Sequence, residues 1–163
     1  MSKDVWVKLF LFLHVMGAIA ALGPTLTYAL WISLAERSDA ATRAYTLRSI
    51  SWIDSHLPTP AYMAQAITGV FLIGLEGWAF WQTGWLVMGV GIYATLVIVA
   101  VRVYAPMFRR QRQLAETVAG DPSDEGAAAA YASAAHSSRI AGAIVTVLTI
   151  VVVFLMVWKP HLW

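Results

Sequence analysis

The chain contains no cysteine. Disulfides, thiolate metal ligands, covalent c-type haem attachment and iron–sulfur clusters held by its own thiols are therefore excluded, and any chemistry must rest on His, Met, Tyr or carboxylate. Charge is scarce as well: Asp, Glu, Lys and Arg make up 12% of the 163 residues, about half the share found in an ordinary soluble domain. Also missing are a glycine-rich nucleotide-binding motif, a nucleophile elbow and the histidine spacing of zinc peptidases. The common phosphate-binding and hydrolytic chemistries thus have no foothold here.

What is present is apolar. Hydrophobic residues account for 60% of the chain and the mean hydropathy is +0.67, which makes lipid the natural solvent. Four apolar segments, at 5–34, 59–81, 85–103 and 140–158, are each near or above the ~20 residues a helix needs to cross hydrocarbon. They predict an all-α fold: a four-transmembrane-helix antiparallel bundle forming a single integral membrane domain over residues 1–163. Its helices are expected at about 5–34, 59–81, 85–116 and 125–159, helices three and four extending into the cytoplasm. The first segment runs past the reach of a signal peptide without a clean small-residue cleavage site. Gly23-Pro24 in its middle predicts a kink or tilt.

Between helices one and two, Leu47, Ile50, Ile53 and Leu57 recur at near-helical spacing among Arg43, Arg48 and Asp54, predicting an amphipathic surface helix at about 43–57. Pro58 and Pro60 then open helix two, where a missing amide is tolerated. Only Gln82-Thr83-Gly84 separates helices two and three, so these form a tight antiparallel hairpin. Gly120-Asp121-Pro122-Ser123-Asp124 breaks the third helix, and Ser123 is expected to cap the fourth, with Asp124 and Glu125 in its positive first turn.

Arginine and lysine set the orientation. Arg37, Arg43, Arg48, Arg102, Arg109, Arg110, Arg112 and Arg139 fall on one side and Lys3, Lys8 and Lys159 on the other, eight against three. The positive-inside rule then places both longer loops in the cytoplasm and both termini on the periplasmic side of a bacterial inner membrane. The basic residues read as topology and lipid-headgroup contacts rather than a nucleic-acid site. Trp6, Trp78, Trp81, Trp85, Trp158 and Trp163 mark the outer boundary, and Trp31 and Trp52 the inner one, as an aromatic belt. A tryptophan-rich rim that binds a quinone, a pigment or a partner helix is the other reading.

His14 stands out in the run Leu9-Phe10-Leu11-Phe12-Leu13-His14-Val15-Met16-Gly17-Ala18, because an ionisable group inside a span has to be justified by something within the protein. Counted from Trp6 it lies about 12 Å deep; Glu76 is about 7 to 8 Å in from Trp81, and Tyr93 about 12 Å in from Trp85. One face of helix one carries His14, Ala18, Ala21, Thr25 and Tyr28, and one face of helix two carries Tyr62, Gln65, Thr68, Gly69, Leu72 and Glu76. Gly89, Tyr93 and Ala100 on helix three, and Gly142, Thr146, Thr149, Val153 and Met156 on helix four, supply matching faces. Two readings stay open. In one, small residues allow close packing and the polar groups bond across helices, with Glu76 protonated or paired to His14. In the other, the small residues leave space for a flat cofactor and His14 donates a nitrogen lone pair to a metal, with Glu76 and Tyr93 as polar pocket groups. Met16, Met88 and Met156 lie at related depths and with His14 make a soft-metal alternative, suited to Cu(I) or to one axial position on haem. His56 and His136 belong to the cytoplasmic side, and His161 lies beyond helix four.

Several stretches look familiar. Trp6-Val7-Lys8-Leu9 leading to His14-Val15-Met16-Gly17-Ala18, Pro60 followed by Gln65-Ala66-Ile67-Thr68-Gly69, Trp85-Leu86, and Phe154-Leu155-Met156-Val157-Trp158-Lys159-Pro160 resemble a family of bacterial predicted integral membrane proteins of unknown function, over nearly the whole chain. More distantly the chain is similar to HemJ-type four-helix protoporphyrinogen oxidases and to CopD-type membrane domains. The HemJ likeness implies haem b at His14, by its place in helix one. It does not carry over the lysine those proteins place after the Trp-Leu start of helix three, where this chain reads Trp85-Leu86-Val87-Met88-Gly89. The readings that follow are a haem b protein with a redox role toward quinone or a partner complex, and a non-enzymatic accessory or scaffold subunit packed against a partner membrane protein or a second copy. Metal or proton transport through Glu76 and His14 ranks last, since two ionisable groups in one half of a membrane make no full pathway.

Overall fold

The computed structural model describes residues 2–162, and no strand occurs among them. The helices are α1 (Lys3–Ala35), α2 (Ala40–His56), α3 (Pro58–Glu76), α4 (Gly84–Val99), α5 (Ala105–Gly120) and α6 (Glu125–Trp158). A single 3₁₀ turn, Phe80–Gln82, precedes α4, and a π-helical turn, Ala100–Tyr104, joins α4 to α5. The chain divides into two compact units: Met1–Arg37 with Arg48–Ala79, and Ser38–Leu47 with Phe80–Trp163.

Among the described residues three helical stretches are long and apolar enough to cross a membrane: Lys3–Ala35, Gly84–Gly120 and Glu125–Trp158. The second expected helix, 59–81, is not among these three and is shorter than its apolar run. Helix α3 has 19 residues and stops at Glu76, capped by Gly77 in the left-handed conformation at φ 74°, so the residues from Gly77 to Trp81 do not extend it. Pro58, Pro60, Tyr62 and Gln65 in its first half also dilute its hydropathy.

In the first unit α1 and α3 lie antiparallel. Phe10 stacks on Phe71 with ring centroids 4.6 Å apart, His14 meets Thr68, and Gly17 meets Gln65, the partners descending along α3 as α1 ascends. The buried residues of α1 are Ala21, Tyr28 and Ala35, and those of α3 include Thr68 and Leu72, so the expected inward faces are the ones that pack. Helix α1 continues through Pro24. The Thr25 hydroxyl donates to the carbonyls of Ala21 and Leu22 in the same turn, so its polar group is satisfied within its own helix.

Helix α2 starts earlier than its hydrophobic spacing predicts because Asp39 caps it. One carboxylate oxygen accepts from the Thr42 amide at 2.8 Å and the other from the Thr42 hydroxyl at 2.9 Å. Its buried stripe runs through Ala44, Leu47 and Ile50, while Ile53 and Leu57 are exposed. Asp54 is half-buried, and the Thr59 hydroxyl donates to it at 3.3 Å.

In the second unit the rod of α4, the π turn and α5 runs antiparallel to α6. Glycines set the close approaches. A Cβ at Gly89 would sit 3.0 Å from the Met156 methyl, and one at Gly142 would sit 3.3 Å from the Tyr104 ring, the small-residue packing expected between apolar helices. The π turn has a local cause. Pro106 has no amide to give the Arg102 carbonyl, and the Ala105 amide instead reaches back to the Ala100 carbonyl, inserting one extra residue into the turn. Farther down, Phe108, Gln111, Ala115 and Val118 of α5 and Tyr131, Ala135 and Ser138 of α6 are buried. Their three- and four-residue spacing is that of a coiled-coil seam. Arg43 lies over the Tyr131 ring, 5.0 Å from its centroid. The turn into α6 is capped by Asp124, whose carboxylate accepts from the Ala127 amide at 2.9 Å, and not by Ser123, whose hydroxyl donates to Asp121 at 2.6 Å. The face expected on α6 is also rotated: Thr149 is buried, but Thr146 and Val153 are exposed.

Candidate functional site

Two polar residues of α3, Gln65 and Thr68, converge on His14. Its Nδ1 lies 2.8 Å from the Thr68 Oγ1, and the side-chain amide of Gln65 donates to the His14 backbone carbonyl. Thr68 is itself bonded within α3, its hydroxyl donating to the Ala64 carbonyl at 2.8 Å, with the Gln65 carbonyl at 3.3 Å. One glycine makes room and another lies beside the ring. A Cβ at Gly17 would stand 2.7 Å from the Gln65 amide nitrogen, whereas one at Gly69 would meet the His14 Cε1 at an ordinary contact distance of 3.5 Å. The imidazole is thus half-buried, gripped at one nitrogen by Thr68 and flanked by the bare backbone of Gly69.

Each element places its part for a local reason. Four-residue spacing on α1 puts His14, Ala18 and Ala21 on one side, and three- and four-residue steps on α3 put Gln65, Thr68 and Leu72 on the opposing side. Polar groups in an apolar setting need partners, and here they take one another. Chemically, the cluster can pin the two helices together, and it can present an oriented imidazole to a ligand.

The other expected site residues are spread out. Glu76 is exposed and lines a cleft of about 300 Å³ with Lys3, Asp4, Val7 and Lys8, two helical turns along α3 from Thr68. Its neighbours are therefore the first turns of α1, and the polar partner at the His14 ring is Thr68. Met16 is 46% exposed. Two residues along a helix is a rotation of about 200°, so it faces away from α3, and depth alone does not bring it to His14. Tyr93, Met88 and Met156 belong to the second unit, where the Met156 methyl closes on Gly89. Among the described residues no group of three or more His, Asp or Glu is arranged to hold a metal ion. His56 stacks on Trp52 at 4.3 Å and its Nδ1 lies 2.7 Å from the Trp52 carbonyl, a local arrangement within α2; His136 and His161 are exposed.

The pairings of His14 with Thr68 and of Gly17 with Gln65 are not read from either helix alone. Their only sequence signal is the pair of inward faces, each mixing polar with small residues.

A chain of long apolar helices, with a histidine, a threonine and a glutamine joined across two of them, is an integral membrane protein. It belongs to the family described as predicted integral membrane protein (DUF2269), whose model matches residues 8–160. The match covers the whole His14 cluster and reaches into both units. No curated protein and no solved structure gave a match. Family membership is therefore established, and the more distant likeness to HemJ-type and CopD-type proteins gains nothing from these comparisons.

Proposed function

We propose that this is a multi-pass protein of the bacterial inner membrane that binds haem b through His14 and serves a redox or electron-passing role toward quinone or a partner complex. The observation that carries the reading is the half-buried imidazole fixed by Thr68 in an apolar helix, since such a group is a functional candidate by default. One oriented imidazole could hold a haem iron through one nitrogen. When bound, haem b would supply reversible one-electron transfer. The residues present hold the ligand ring: Thr68 fixes its rotation, Gly69 lies beside its edge, and Gln65 ties the backbone of His14 to α3. In this reading α3 crosses the membrane beside α1, for 19 residues at 1.5 Å each span about 28 Å, close to the hydrocarbon thickness. With four crossings and eight basic residues against three, both termini face the periplasm.

The test is a visible spectrum, oxidised and dithionite-reduced, of detergent-purified protein from haem-replete cells. A stoichiometric haem b signal is expected, and His14→Ala should abolish its Soret band while circular dichroism shows unchanged helix content. A featureless wild-type spectrum would overturn the reading and leave the accessory-subunit role in front. That second reading draws on one observation: only 6% of the apolar window of α1 is buried within the chain, which leaves broad faces for lipid or for a partner helix.

A further inference from the structure

The Thr68 hydroxyl has one proton and two lone pairs. Its proton points into α3, toward the carbonyls of Ala64 at 2.8 Å and Gln65 at 3.3 Å, and a carbonyl oxygen can only accept. The same oxygen lies 2.8 Å from the His14 Nδ1. With its only proton engaged, it meets the ring as an acceptor, so the hydrogen in that contact must come from Nδ1.

We infer that Thr68 selects the tautomer of His14, holding the neutral ring with hydrogen on Nδ1 and leaving the lone pair on Nε2. Thr68 is then a positioning residue: it decides which nitrogen can act as ligand or base, and it turns the ring so that this nitrogen points away from the Thr68 oxygen. Gly69 lies against the same ring. A Cβ there would lie 3.5 Å from Cε1, the ring atom between the two nitrogens, an ordinary van der Waals contact that places residue 69 beside the ring edge. An imidazole that donates its far N–H to an oxygen is also a better electron donor at its other nitrogen. The tautomer assignment stands on hydrogen-bond geometry alone. Its use as an iron ligand rests on the proposed function above.

The measurement is side-chain nitrogen NMR on haem-free protein with ¹⁵N-labelled histidine, in micelles above neutral pH, with the His14 signals identified by their loss in His14→Ala. The wild type should show a protonated Nδ1 and an unprotonated Nε2. Thr68→Val, which keeps the shape but removes the acceptor, should shift the population toward the Nε2–H form that a free histidine side chain prefers in water. Thr68→Ser should restore the Nδ1–H form. A wild-type ring protonated on Nε2 would overturn the inference without any variant, and so would a tautomer unmoved by Thr68→Val in protein that keeps its helix content. Because the readout needs no haem, a colourless protein with the Nδ1–H tautomer would sink the haem reading and leave the role of Thr68 intact.

Discussion

At Gly17 the two helices of the first unit come so close that even a methyl group would meet a neighbour, the Gln65 amide at 2.7 Å. That neighbour is the end of a flexible side chain. Gly17→Ala should therefore push the amide off the His14 carbonyl rather than part the helices. The hydrogen bond lost is worth about 1 kcal/mol, and alanine returns a similar ~1 kcal/mol through its helix propensity, so the net change in detergent stability should be small. Gly17→Leu cannot be absorbed this way and should destabilise by about 1 to 3 kcal/mol. Thermal melts of the two variants beside Gln65→Leu check the ordering: a large loss in Gly17→Ala would show backbone, not the Gln65 amide, at the close approach. Much of this site was legible in the sequence, because an imidazole in an apolar run draws notice and its companions share a helical face. The methionines were not, because depth is only one coordinate of a helical residue. Met16 has a suitable depth for His14 and the wrong angle.

Helix α2 carries two carboxylates whose ionisation acts on it in opposite senses. The amide and hydroxyl of Thr42 hold the Asp39 carboxyl below its ordinary range. The stability from this cap is fully present above the unfolded value and is lost as the pH falls through the lower folded value. Asp54 is shifted upward, chiefly by burial, which penalises the charged form, and the Thr59 hydroxyl offsets this in part. Its contribution is greatest below the unfolded value and declines as the pH rises through the folded one. At neutral pH, Asp54→Asn should therefore leave α2 at least as well protected as in the wild type, and Asp39→Ala should unprotect its first turn. Hydrogen exchange of the α2 amides reads both, and faster exchange in Asp54→Asn would contradict the assignment. The hydrophobic spacing gave this helix its existence but not its start. Capping by Asp39 adds a turn that an apolar pattern does not register, and Asp124 rather than Ser123 takes the cap of α6 for an equally local reason. The π turn was illegible too, although its cause, Pro106, stands in the sequence. A proline in a helical run announces a disturbance without saying whether the helix breaks, bends or widens.

Across the whole molecule, the number of crossings decides where the ends lie. Four crossings leave both termini on one side, and three put them on opposite sides. Because the chain has no cysteine, Ser2→Cys and Leu162→Cys give single, unambiguous labelling sites. Both should react with a membrane-impermeant maleimide in intact spheroplasts. Labelling of only one would remove α3 as a crossing. The all-helical class followed directly from composition and run length. The count of crossings did not, because α3 sits at the margin where two prolines, a glutamine and a terminal glutamate weigh against its apolar half.

The pairing of α1 with α3 bears on how the chain enters the bilayer. Helix α1 leaves the ribosome first and qualifies for insertion on its own hydropathy, but it carries an imidazole whose partner is some fifty residues away and not yet made. Helix α3 arrives later, short of that standard alone, with Gln65 and Thr68 as its most polar central groups. Each helix holds the group that satisfies the other. If α3 crosses the membrane as proposed, the hydrogen bonds around His14 make its insertion depend on that of α1, and a defect in α1 should be felt during synthesis as a failure of α3 to enter.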